Sequence, residues 1–206
     1  MAGISLNLRI NDLVAPFDAA RLVVPCGLAT PHVSPIRTRV TGAAVSLAGD
    51  AFNGQHVLVL DPTDDQVTVE TDFALGGPAY PDAMFAVPDS RYTRIASDLK
   101  AEAQDIVGAA GGGDAGILAL AQSCAALFTY GHPDEKFYDD TEEVPQICSL
   151  TTGSCVDINL YFIALLRAAG YEAGYVTGYF VPEAKRTHAE DGHCWVVTRH
   201  AGRCLE

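Results

Sequence analysis

Two residues in the C-terminal half of the chain have the types and the setting for nucleophilic chemistry, Cys155 and His193. Residues 153–170 read GSCVDINLYFIALLRAAG. Ser154 with Asp157 three positions on is a helix-start signature, in which the hydroxyl caps the first turn and the acid bonds back. Val156, Leu160, Ile163, Ala164 and Leu166 continue a helical stretch, and Gly170 closes it. Cys155 is therefore expected in the first turn of a helix. Backbone N–H groups there lack intrahelical partners and the helix dipole is positive, and both effects favour a thiolate. The same N–H groups can hold an oxyanion. Taken alone, a cysteine at this point reads equally well as a small buried apolar residue.

The second half of the chemistry is a base. After Gly170 comes the β-rich run YEAGYVTGYFV, then a polar loop, PEAKRTHAEDG, then GHCWVVTR with His193 at the start of a second strand. A helix headed by a nucleophile and followed by two strands can pack so that the strand histidine meets the helix terminus. The imidazole would take the thiol proton and later protonate the leaving group. Cys194, by strand alternation, is expected to point away from His193 and to share no role with it.

The segments GSCVD, FIALLRAAG, YVTGY and GHCWV, in this order and spacing, resemble the transglutaminase-like superfamily and its bacterial, cysteine-protease-like members. The pattern there is Gly-x-Cys-x-Asp on a helix, a Leu-Leu-Arg-Ala-x-Gly helix end, a Tyr-Val-x-Gly-Tyr strand and a His-Ala-Trp-Val strand. Cys194 stands where that pattern has alanine. The resemblance covers most of the chain. It implies an α+β fold, with an N-terminal antiparallel β module followed by a papain-like core of helices packed on an antiparallel sheet. It also implies a Cys-His-Asp triad, with Cys155 as nucleophile, His193 as general base and acid, and Asp157 as a motif residue that supports the helix cap. The implied activity is acyl transfer from an amide or peptide bond of a peptide or protein substrate, through a thioester on Cys155. A cysteine protease or amidase is the first expectation. A protein-glutamine cross-linking transglutaminase and a non-catalytic peptide-binding module of the same fold are the alternatives.

The resemblance places the triad acid roughly fifteen residues beyond the histidine, on the next strand. The sequence ends at Glu206. A two-residue turn at Ala201-Gly202 would pair His200 with Arg203, and the same register carries the partner of His193 past Glu206. The expectation is a core truncated before its acid and impaired in activity. Glu206 would substitute only in another hairpin register.

The elements that must position this pair can be read upstream. Residues 1–77 read as a β-sandwich-like module: ISLNLRI alternates with Ile4, Leu6, Leu8 and Ile10 on one face, followed by VTGAAVSL, HVLVLD and QVTVETDFAL. Turn signals fall at Gly49-Asp50, Asn53-Gly54, Asp61-Pro62 and Asp64-Asp65. Gly76-Gly77-Pro78 marks the boundary to the catalytic core, residues 78–206. A helix is expected over residues 93–107, on Ile95, Leu99, Ala103, Ile106 and Val107. A second follows Gly111-Gly112-Gly113, with Asp114 as its cap and Ile117, Leu118, Ala121, Cys124, Ala125 and Phe128 on its apolar face. Cys124 there is a small buried hydrophobe. Residues 130–152 form a long polar connection, expected to wall the site. The loop from Pro182 to Gly192 is a candidate lid.

Composition bounds the rest. The 206 residues carry a net charge of −13, with 49% apolar and 19% charged residues, as expected of a globular chain. An acidic surface repels phosphates, which excludes nucleic acid and anionic membranes as partners. No apolar run is long enough to span a membrane and no signal peptide is visible, so a cytoplasmic location is expected. The six cysteines include no C-x-x-C pair and read as free thiols. No cofactor and no metal are expected. His132 beside a group of acids, and the run from His188 through Glu190 and Asp191 to His193, lack the spacing of a metal site.

Overall fold

The computed structural model describes residues 3–13, 21–49, 55–180, 188–189 and 192–206. The turns expected at Gly49-Asp50 and Asn53-Gly54, and most of the candidate lid, lie outside the described residues. The chain divides into two compact units, Met1–Ala83 and Met84–Glu206. Together they make an α+β protein, with three α-helices among the described residues and sheets that are mainly antiparallel.

Among its described residues the first unit holds six strands: β1 (Gly3–Ile10), β2 (Leu22–Pro25), β3 (Val33–Thr41), β4 (Ala43–Gly49), β5 (His56–Pro62) and β6 (Val67–Leu75). They form two three-stranded antiparallel sheets, ordered β1-β6-β3 and β2-β5-β4. Val24, Leu58 and Leu60 of one sheet share an apolar core with Val67 and Val69 of the other. Leu8 and Ile10 join this core, whereas Ile4 and Leu6 at the other end of β1 are exposed. The alternation of ISLNLRI therefore marks a strand of which only the second half is covered.

VTGAAVSL, expected as one strand, is split between the two sheets. Its first residues end β3 and its last form β4, with Gly42 between them at φ +80°. A Cβ at Gly42 would lie 2.1 Å from the Gln66 carbonyl oxygen, so the corner admits only glycine. The Gly42 carbonyl accepts from the Thr63 and Asp64 amides, which ties the corner to the β5–β6 turn. Asp61-Pro62, expected as a turn, belongs to β5 instead, and the turn falls just after it.

The second unit contains α1 (Ser97–Ala110), α2 (Gly113–Leu127), β7 (Phe128–Tyr130), β8 (Thr151–Gly153), α3 (Cys155–Ala168), β9 (Glu172–Tyr179), β10 (Gly192–His200) and β11 (Arg203–Leu205). α3 is its axis: Tyr161, Leu165 and Leu166 are fully buried against Leu99 and Ala103 of α1 and Leu120 and Cys124 of α2. Three expectations need correction here. α1 starts at Ser97, because Ile95 makes a parallel bridge with Val144. Asp114 does not cap α2: it lies inside the first turn and pairs with Arg203 of β11, while Gly112 holds the cap position. Phe128 has left α2 and begins β7, which pairs in parallel with β8.

β9, β10 and β11 form an antiparallel sheet in the order β11-β10-β9. The β10–β11 hairpin has the expected register, His200 with Arg203 and Thr198 with Leu205. Ala201 and Gly202 both take positive φ, 49° and 75°, the turn whose twist matches that of the strands.

Candidate active site

The site begins with the cap of α3. Gly153, the last residue of β8, is packed so closely that a Cβ would meet the Phe128 ring at 2.8 Å and the Asp157 Cβ at 3.0 Å. This brings Ser154 into the cap position with extended backbone, and the capping box is complete. Asp157 Oδ2 accepts from the Ser154 amide and from its hydroxyl, both at 2.7 Å. Cys155 is the first helical residue and is half-buried.

Asp157 is 1% exposed, and its other carboxylate oxygen accepts from the Tyr138 hydroxyl at 2.9 Å. Burial pushes its carboxyl up. The bonds from Ser154 and Tyr138 outweigh that and hold it below the usual carboxylate range. Tyr138 shifts the other way: burial and then the bond to Asp157 push its phenol up, so the proton stays on the donor. The long 130–152 connection thus packs on the first turn of α3. Phe137 stacks edge-on against Phe128 and Tyr161, and Val144 and Ile147 are buried.

Asn159, one turn after Cys155, joins helix to sheet. Its Nδ2 donates to the Cys155 carbonyl at 2.8 Å and to the Cys194 carbonyl at 3.0 Å. The start of α3 and the start of β10 are therefore held on one amide, with His193 the residue before Cys194. Alternation places His193 on the same face as Trp195, whose indole lies over Gly178, the cross-strand partner of His193. The Phe180 ring lies 5.7 Å from the imidazole.

The structure thus brings the elements carrying Cys155 and His193 together but makes no hydrogen bond between the two side chains. Cys194 does point to the other face, as expected, and that face is the one toward α3. Its sulfur lies 3.6 Å from Asn159 Nδ2 and its thiol neighbours that of Cys155. Burial, ahead of these contacts, pushes the Cys194 thiol up. Burial pushes the phenol of Tyr175 of β9 up, and the nearby Cys194 thiol adds to that shift.

Other candidates fall elsewhere. His132 stacks edge-on against Tyr130 at 5.6 Å. Glu190 and Asp191 lie outside the described residues, and among the described residues no three potential metal ligands cluster. With Leu205 opposite Thr198, Glu206 follows at the level of Val197 and not of His193. Cys124 is 2% exposed, and burial pushes its thiol up to about 12. Among the described residues no helix is long and apolar enough to cross a membrane.

Asn159, Tyr138 and Tyr175 were not foreseen. Asn159 had a signal: it is a polar residue four positions after Cys155, hence on the same helix face, in a helix that is otherwise largely apolar. Tyr138 and Tyr175 had none, since nothing local connects them to Asp157 or Cys194.

Residues 100–202, half of the chain, match the family model of the transglutaminase-like superfamily, and the chain belongs to that superfamily. Among solved structures it resembles one described as a "Putative Cysteine Protease" from Cytophaga hutchinsonii, with a TM-score of 0.59 at 14% identity, over 97% of this chain and 77% of that one. It also resembles the periplasmic domain of TgpA from Pseudomonas aeruginosa, with a TM-score of 0.48 at 17% identity, over all of this chain and 71% of that one. No curated protein matches the chain. At these identities the likeness is one of fold.

Proposed function

We propose that this protein is a thiol-dependent acyl-transfer enzyme acting on amide or peptide bonds of a peptide or protein substrate, with Cys155 as nucleophile and His193 as general base and acid. The observation that carries the reading is the placement of Cys155 at the head of a fully capped helix whose next turn, through Asn159, holds the start of the histidine strand. Membership of the superfamily supports it.

In this mechanism the His193 imidazole turns from the Phe180 ring toward the sulfur and accepts its proton. Apo geometry is often loose in this way and tightens when substrate binds. The thiolate attacks the carbonyl carbon, a C–S bond forms, and the carbonyl electron pair moves to oxygen. N–H groups of the first turn of α3 are the donors available to that oxyanion. The imidazolium then protonates the leaving amine as the C–N bond breaks, leaving a thioester on Cys155. Water as acceptor makes the protein a hydrolase, which we take as the first reading, and a lysine amine would make it a cross-linker.

The test uses the difference in exposure between two thiols. Cys148 is exposed and Cys155 only half so, and passive thiols label in order of exposure. Iodoacetamide labelling at neutral pH, followed residue by residue by mass spectrometry, should modify Cys155 about tenfold faster than Cys148. The faster rate should fall in His193→Ala. Labelling of Cys155 no faster than Cys148 overturns the nucleophile assignment. Cys155→Ala should remove hydrolysis of a peptide library, with the helical circular dichroism retained.

A further inference from the structure

We propose that Cys155 and Cys194 form an oxidisable thiol pair, in which hydrogen peroxide oxidises Cys155 and Cys194 resolves the product into an intramolecular disulfide between α3 and β10. This rests on the reading of Cys155 as the reactive thiol and adds a modification site to it.

Placement carries the inference. One amide nitrogen, Asn159 Nδ2, contacts the Cys155 carbonyl, the Cys194 carbonyl and the Cys194 sulfur, at 2.8, 3.0 and 3.6 Å. The Cys155 backbone and both the backbone and the sulfur of Cys194 are thereby held on one side-chain amide, and both cysteines are free thiols. The other cysteines are disposed differently. Cys124 is turned to the Ile158 carbonyl, Cys148 is exposed in the 130–152 connection, Cys204 lies in β11 and Cys26 lies in the other unit.

The two thiols also differ in the way such a pair requires. Cys155 is half-buried and reachable from solvent at a helix N-terminus, whereas Cys194 is 3% exposed. An external oxidant meets Cys155 first. Cys194 is kept protonated by its burial and reacts only with a partner already beside it.

The chemistry balances in two steps. The Cys155 sulfur attacks the peroxide, an S–O bond forms as the O–O bond breaks, and water leaves with the thiol proton. The Cys194 sulfur then attacks the sulfenic sulfur, an S–S bond forms as the S–O bond breaks, and the Cys194 proton leaves with the hydroxyl as a second water. Two thiols lose two electrons and two protons in all, and the peroxide is reduced to two waters. The nucleophile is withdrawn while the disulfide lasts, and a thiol reductant returns it.

The experiment exposes the reduced chain to hydrogen peroxide, blocks the remaining thiols and maps the products by non-reducing mass spectrometry. Chymotryptic cleavage after Leu150 separates Cys148 from Cys155. The expected product is a linked pair of peptides carrying Cys155 and Cys194. Iodoacetamide-reactive Cys155 should fall by about tenfold and recover with dithiothreitol. In Cys194→Ala the same treatment should carry Cys155 on to sulfinic acid, which dithiothreitol does not reverse. Sulfinic acid on Cys155 in the unaltered chain, or a link from Cys155 to Cys148 alone, overturns the pair. Link mapping needs no variant, so a folding defect in Cys194→Ala leaves the test intact. Slow labelling of Cys155 in the reduced chain sinks the nucleophile assignment separately, whatever peroxide yields.

Discussion

The two units use their polar side chains in opposite ways. In the first unit the charges lie across the outer face of the β1-β6-β3 sheet. Asp72 accepts from Ser5 at 3.0 Å and Arg37 at 2.8 Å, and Glu70 accepts from Arg39 at 3.1 Å. All of these bonds are exposed to water, which competes for them, so they discriminate weakly among conformations. In the second unit the key carboxylate is buried. Asp157 is shut off from solvent and has its bonds supplied by Ser154 and Tyr138, so each partner it loses costs it a bond. The lesson is that the head of α3 is defined by polar contacts, whereas the β unit is defined by its backbone ladder and its small apolar core. A protein that must aim one sulfur needs the first kind of definition, because a buried network tolerates only one arrangement.

The largest effect is expected at that network. Asp157→Ala should destabilise the second unit by about 3 kcal/mol, because it removes the cap and leaves the buried Ser154 amide and the half-buried Tyr138 without their acceptor. Trp195, the sole tryptophan, lies in this unit, so its fluorescence in a denaturant titration reports the loss. An unchanged midpoint would show that the network does not define the helix head.

Next in size is the backbone corner of the β unit. Gly42→Ala should cost about 2 kcal/mol, from positive φ combined with a clash against the Gln66 carbonyl. Far-UV circular dichroism should record a lower midpoint. A neutral result would mean that β3 and β4 part company elsewhere.

Acid should separate the units further. The folded-state carboxyl of Asp157 is held low, so its contribution is complete above the unfolded value, near about 4, and is lost as pH falls through the folded one. Trp195 fluorescence should therefore show stability declining below about pH 4, with a shallower decline in Asp157→Asn. The smallest effect is expected at Arg37. Its pair with Asp72 holds that carboxyl low through the guanidinium bond, yet both partners meet water. Arg37→Ala should leave the midpoint within replicate scatter, and a clear drop would erase the contrast between the units.

Legibility in the sequence followed the range of the interaction. The capping box, the hairpin register and the burial of Cys124 are set by residues a few positions apart, and each stands where the sequence puts it. The errors arose where a distant strand intervenes. Asp114 left its cap role for Arg203, Ile95 left its helix for a bridge to Val144, and one apparent strand was divided at Gly42 between two sheets.

The candidate site divides along the same line. By itself the sequence determined that Cys155 opens a helix and that His193 opens a strand, because caps and alternation are local properties of backbone and side-chain chemistry. Only the tertiary structure decided which side chains meet there. Asn159 spans to Cys194, Tyr138 reaches Asp157, and the thiol beside Cys155 belongs to Cys194. Such contacts depend on how a helix is rotated against a sheet, which is set by the packing of Tyr161, Leu165 and Leu166 and not by any neighbour in the chain.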